Sequence, residues 1–233
     1  IAGVYPLTIT GTNGFCTAVA TVNLTVNALP VITTATASPA VVCHNADVTL
    51  AASSIVSGSQ TEPVGYCASN ATSTFDEEIL SVSLGSMTNA SSCTTTGGAG
   101  SLQSQYSNYT SVVPALNVQV GSTYPLSVQI GTCNGNYSNW TKVFIDWNRD
   151  GDFLDANETA YNSAASTNGP HVETGNITVP AGAQMGITRM RVVNVETTVA
   201  TGVNSCGTYT WGETEDYWLN IQSSPAIPYS YTW

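Results

Sequence analysis

Nowhere in this chain does a window of about twelve residues repeat its apolar side chains at helical spacing, whereas short runs that alternate apolar and polar residues recur throughout. A period of two sends successive side chains to opposite faces of a pleated strand, so the alternation constrains the chain to β-structure. Residues 4–10 (VYPLTIT) and 18–26 (AVATVNLTV) alternate around Thr12-Asn13-Gly14, a hairpin turn signal. Further strands are predicted at 48–52, 79–84, 116–120, 124–130, 142–147, 177–179, 188–194 and 216–221, separated by Gly, Asn and Ser clusters. Little or no helix is expected. The fold class that follows is all-β, a β-sandwich or jelly-roll. Residues 27–40, with two prolines, read as a linker into a new domain.

Composition narrows the function. Four Lys and Arg stand against 15 Asp and Glu, a formal net charge of -11. Nucleic acid is excluded as a partner, because phosphate binding needs clustered basic residues. No stretch approaches the roughly 18–20 apolar residues of a membrane-spanning helix, so membrane insertion is not expected. Low charge does not signal disorder in a chain with 20 aromatics (5 Trp, 11 Tyr and 4 Phe) and regular apolar spacing. The six cysteines (Cys16, Cys43, Cys67, Cys93, Cys133 and Cys206) include no CxxC pair. Spread-out cysteines of this kind read as disulfides in an oxidising compartment, with buried free thiols as the alternative. The chain begins and ends inside strand-like runs and lacks an initiator Met or signal peptide, so we read it as an internal fragment of a longer secreted protein.

One segment carries chemistry. Residues 146–158 read DWNRDGDFLDANE, with five carboxylates (Asp146, Asp150, Asp152, Asp155 and Glu158) and one base, Arg149, a net charge of 5 − 1 negative units. Carboxylates this close repel unless a cation joins them. Asp146, Asn148 and Asp150 fall at positions 1, 3 and 5 of a calcium loop, and Gly151 at position 6 permits the sharp turn. Position 12 is Asn157, and Glu158 comes one residue late, on a segment whose flank reads as strand. The expectation is an EF-hand-like loop on a β scaffold that binds Ca²⁺ through Asp146, Asn148, Asp150, Asp152 and one of Asp155 or Glu158. The alternative is a solvated acidic turn with Asx caps.

A second acidic group, Glu213, Glu215 and Asp216, lies in the run GETEDY, with Glu213 and Glu215 on one strand face. Arg189 and Arg191 also share a face. Pairing of these arginines with the acids, or a second cation or ligand site, are the two readings. Asp76-Glu77-Glu78 opens a strand and reads as a solvated end. Trp140, Trp147, Tyr209, Trp211 and Trp218 are candidates for a sugar-stacking platform, against core or rim packing.

Four separated motifs now carry a resemblance. Tyr66-Cys67 opens a segment that contains Phe144-Ile145-Asp146-Trp147-Asn148-Arg149-Asp150-Gly151-Asp152-Phe153, then Thr188-Arg189-Met190-Arg191-Val192, and ends at Gly212-Glu213-Thr214-Glu215-Asp216-Tyr217. Over residues 64–222 this resembles the GEVED domain, with GETED as a variant of the naming motif. The resemblance implies a place in a large secreted surface protein of a Bacteroidota-type bacterium, beside proteases, adhesins and repeat arrays. It also implies the pairings Cys67–Cys206 and Cys93–Cys133; spacing alone leaves three pairings open.

The flanks are similar to immunoglobulin-like repeats. Residues 1–29 resemble the end of one such domain, residues 30–63 a linker and the first strands of a second, and residues 223–233 the return strand of that second domain. Cys16 and Cys43 would then pair outside this chain, or else with each other. No nucleophile motif, HExxH, GxSxG or phosphate loop is present, so an enzyme is not expected. The expected function is a calcium-stabilised structural or adhesive module, with a glycan-binding module or an accessory domain of a secreted hydrolase as alternatives. A surface glycan or protein is the expected ligand, and neighbouring repeats or filament subunits are further partners.

Overall fold

The computed structural model describes residues 3–13, 16–26, 31–38, 49–55 and 59–224. Two antiparallel hairpins come first: β1 (Gly3–Asn13) pairs with β2 (Cys16–Val26), and β3 (Val31–Ser38) with β4 (Thr49–Ile55). The expected linker at 27–40 thus contains a strand. Its Val-Ile-Thr-Thr run supplies β-branched residues that the flanking prolines do not interrupt. The expected strand at 229–233 and the pairing of Cys43 lie outside the described residues.

The remaining strands are β5 (Ser69–Ala71), β6 (Glu77–Leu84), β7 (Met87–Ala90), β8 (Tyr106–Asn108), β9 (Leu116–Gln119), β10 (Thr123–Thr132), β11 (Ser138–Ile145), β12 (Thr159–Asn162), β13 (Thr167–Asn168), β14 (His171–Thr178), β15 (Gly186–Glu196), β16 (Gly207–Tyr209) and β17 (Gly212–Gln222). Helix among the described residues is limited to one 3₁₀ turn, Ala200–Gly202. A four-stranded sheet runs β14-β10-β6-β7 and a seven-stranded sheet runs β12-β11-β15-β17-β8, with β13 on β11 and β9 on β17. The protein is therefore all-β, and these sheets form a sandwich.

Alternation builds the core between them. Ile79, Val82 and Leu84 of β6 and Leu126, Val128 and Ile130 of β10 join Val143, Ile145, Met190, Val192, Tyr217, Leu219 and Ile221 of the larger sheet in one buried cluster. Removing such side chains from water is the main favourable term in folding, about 1.5–3 kcal/mol each. The opposite face of the larger sheet is covered too. Phe144, Val193 and Val195 pack there with Phe153 and Val203, against Tyr66, Trp140 and Tyr209. With both faces covered, β15 and β17 are buried almost continuously, whereas β14 at the sheet edge alternates half-buried and exposed residues.

Two disulfides tie this body together, Cys67–Cys206 and Cys93–Cys133. They enclose separations of 139 and 40 residues, which in the chain-entropy account contribute about 5 and 4 kcal/mol. Both match the pairing that the resemblance implied.

Candidate metal centre

The acidic loop is the connection between β11 and β12. Ile145 donates its backbone N–H to Glu158 O (2.9 Å), which closes the loop at its base. Inside, side-chain oxygens turn the backbone step by step. Asn148 Oδ1 accepts from Asp150 N (3.2 Å), Asp150 Oδ1 from Asp152 N (3.2 Å), and Asp152 Oδ1 from Leu154 N (2.8 Å). These successive Asx turns are the local reason that alternating Asp and Asn produce a tight loop.

Gly151 sits at φ 95, and a Cβ there would meet Val64 O at 2.2 Å, so the turn accepts only glycine. Arg149, at φ 58, turns away from the acids. Its guanidinium donates to the carbonyls of Thr61, Met185 and Ile187. The one base of the loop thus serves as an anchor to backbone carbonyls and forms no ion pair with the loop carboxylates.

Asp150, Asp152 and Asp155 converge, with one oxygen from each lying within 4.8 Å of the others. Asn148 Nδ2 stands among them, donating to Asp150 Oδ2 (3.0 Å) and Asp155 Oδ2 (2.7 Å). Asp146 lies beneath and is fully buried. Its Oδ2 accepts from Tyr66 Oη (2.6 Å) and Gly151 N (3.1 Å), while its Oδ1 is buried without a hydrogen-bond partner. Burial raises its pKa, against the lowering effect of the Tyr66 and Gly151 hydrogen bonds. Glu158 is also buried, and both of its oxygens are taken by the backbone, Oε1 by Trp147 N and Oε2 by Asp155 N. Burial pushes its carboxyl up to about 7. Of the six residues expected as ligands, three converge, Asn148 links two of them, and Asp146 and Glu158 brace the loop from inside. The converging oxygens are hard donors that suit a cation of the calcium or magnesium kind.

Tyr66 was missed as a partner of this loop; only its side-chain contacts, 80 residues distant in sequence, reveal it. Its ring stacks on Phe153 (centroids 5.2 Å apart) and carries the Arg189 guanidinium at 4.4 Å. Burial is the main cause that raises its hydroxyl pKa, and the Asp146 hydrogen bond adds to it.

The GETED strand is built differently. The register sets Arg191 opposite Asp216 and Val192 opposite Glu215. Arg191 grips Asp216 with two bonds, Nε to Oδ1 and Nη2 to Oδ2, each 2.8 Å. Arg189 reaches Asp216 at 3.2 Å and pairs with Glu62, while Tyr106 Oη donates to Asp216 at 2.9 Å. The arginines therefore pair with the third acid of the motif, while Glu213 and Glu215 point to the other face. Asp76-Glu77-Glu78 departs from expectation as well. Glu77 and Glu78 are each 1% exposed, since β6 begins inside the sandwich, where Ser104 and Glu213 of β17 lie against Glu78 and Tyr137 N donates to Glu77 Oε1. The aromatic candidates are divided between different surroundings. Trp147 is in the inter-sheet core, Trp140 and Tyr209 pack on the outer cluster, and Trp211 is exposed.

No curated protein matches the sequence. The crystal structure of the CARDB domain of the PF1109 protein from Pyrococcus furiosus, in complex with di-metal ions, matches at 15% identity over 64% of this chain and 96% of that one. Its TM-score is 0.29, too low a likeness to bear on the site. The GEVED domain model matches residues 140–220, which run from β11 through the acidic loop to the GETED strand. The chain thus carries a GEVED domain.

Proposed function

We propose that this chain is a calcium-stabilised structural and adhesive module of a large secreted cell-surface protein, and not a catalyst. The observation that carries the reading is the convergence of Asp150, Asp152 and Asp155 in a loop whose only base is turned outward to backbone carbonyls. Three carboxylates at that separation repel, and a divalent cation converts the repulsion into coordination. The buried, unpartnered Oδ1 of Asp146 is a further oxygen for such an ion, and Asn148, whose Nδ2 faces Asp150 and Asp155, would turn its amide oxygen to it. The bound ion would fix the loop against Tyr66 and Phe153, and so brace the outer cluster of the larger sheet. Two disulfides and the all-β fold fit an extracellular setting, and among the described residues no helix is long and apolar enough to cross a membrane.

The test is the thermal midpoint of the whole chain in Ca²⁺ and in EDTA, with metal analysis of the same samples. A ligand confined to the folded state stabilises it by about 2.7 kcal/mol at a hundredfold excess over its dissociation constant. A rise of that order with Ca²⁺, lost in Asp150→Ala, is expected. A metal-free sample with an unchanged midpoint in millimolar Ca²⁺ rejects the metal site.

A further inference from the structure

Where β6 crosses β17, three carboxyls meet inside the sandwich with no positive charge beside them. Glu78, Glu213 and Glu215 are each no more than 1% exposed. Glu213 Oε1 accepts from Ser107 Oγ (2.8 Å) and Oε2 from Ile79 N (3.1 Å). Glu215 Oε2 accepts from Tyr217 Oη (2.7 Å), whose oxygen in turn accepts from Asn89 Nδ2 (2.9 Å). Glu78 Oε1 is buried with no partner.

The groups that face this cluster are acidic or neutral. From β6 come Glu77 and Glu78, from the segment leading through β8 come Ser104, Ser107 and Tyr109, and from β7 and its exit come Asn89 and Ser91. From β15, Val192 and Asn194 stand opposite Glu215 and Glu213. Asp76 and Glu196 lie beside Glu77 at the strand end.

All four Lys and Arg are engaged elsewhere. Lys142 is bound to Val203 O, Arg149 to loop carbonyls, and Arg189 and Arg191 to Asp216 on the other face. His171 pairs with Glu173. Nor do the oxygens form a divalent cage, since the loop trio is the only group of three carboxylates among the described residues that converges within 4.8 Å.

Ser91 Oγ donates to Ile79 O at 2.5 Å and lies 3.4 Å from Glu215 Oε1, so it gives that carboxyl no strong donor.

We propose that Glu78, Glu213 and Glu215 share protons rather than carry three charges, which makes the junction of the two sheets a proton-binding core that loosens as the solution turns alkaline. Burial pushes all three carboxyls up from their ordinary range, and the mutual repulsion of the acids adds to it for Glu78 and Glu215. Each folded-state pKa lies above the unfolded one, so the folded chain binds more protons. Full stability is present below the unfolded carboxyl range and is lost as pH rises through the raised values.

The test is denaturant unfolding of the whole chain and of Glu215→Gln from pH 5 to pH 9, in saturating Ca²⁺ and again in chelator. Infrared spectra of the carboxyl region accompany it. Each unit of raised pKa is a tenfold change in the unfolding equilibrium. The native chain should lose at least about tenfold between pH 5 and pH 9, and Glu215→Gln should make that loss smaller while leaving pH 5 stability unchanged. The carbonyl band of protonated carboxylic acid should persist in the native chain at neutral pH. An unchanged pH slope in the variant overturns the proposal, as does loss of a bound metal ion from it. If the variant does not fold, the infrared spectrum decides, and a spectrum with carboxylate bands alone at pH 7 overturns it.

Discussion

The acidic loop and the GETED strand use the same side chains for different ends. In the loop, Asp150 and Asp155 are exposed and Asp152 partly so, their oxygens converge, and the local base faces away. In the strand, Asp216 is fully buried and held by Arg191 through two bonds, while Glu213 and Glu215 are buried with hydroxyl and amide donors alone. Exposed carboxylates that converge can share a cation. A buried one needs either a matched guanidinium or a proton, because uncompensated charge in a low-dielectric interior is too costly. Burial, more than residue type, decides what a cluster of acids does in this protein.

Three substitutions would break or sharpen that contrast. Arg191→Met leaves Asp216 buried with only the more distant Arg189, and should cost about 3–5 kcal/mol in denaturant unfolding. A loss below about 1 kcal/mol would mean that the ion pair is not what holds the GETED strand. Gly151→Ala should cost about 1–3 kcal/mol through its left-handed backbone and should also abolish any response to Ca²⁺. An intact calcium response in that variant would separate the turn from the site. Tyr66→Phe removes the hydroxyl shared by Asp146 and the Arg189 backbone, and should cost about 1 kcal/mol by thermal or chemical unfolding. If it also weakens the calcium-induced shift, the loop and the arginine face are coupled; if not, Tyr66 is only a packing residue.

Much of this was legible in the chain itself. The alternation at 79–84, 124–130 and 188–194 became β6, β10 and β15, because a period of two is a backbone property that needs no partner to be read. The loop was legible for the same reason. Its Asx turns and Gly151 act within a few residues of one another, so the spacing carries the geometry. Whatever depended on burial was not legible. Glu77 and Glu78 have the look of a strand end, and only distant neighbours, Tyr137 for the first and Ser104 for the second, place them inside. Likewise the sequence pairs Arg189 and Arg191 with the acidic motif in general terms, and only the register of β15 on β17 selects Asp216 over Glu213 and Glu215. The chain's own order determined the strands, the turn and the local crowding of charge, since these are short-range. Which acids are wet, which meet arginine and which must hold a proton was decided when the two sheets closed, because solvation and charge pairing depend on neighbours that lie up to 134 residues apart.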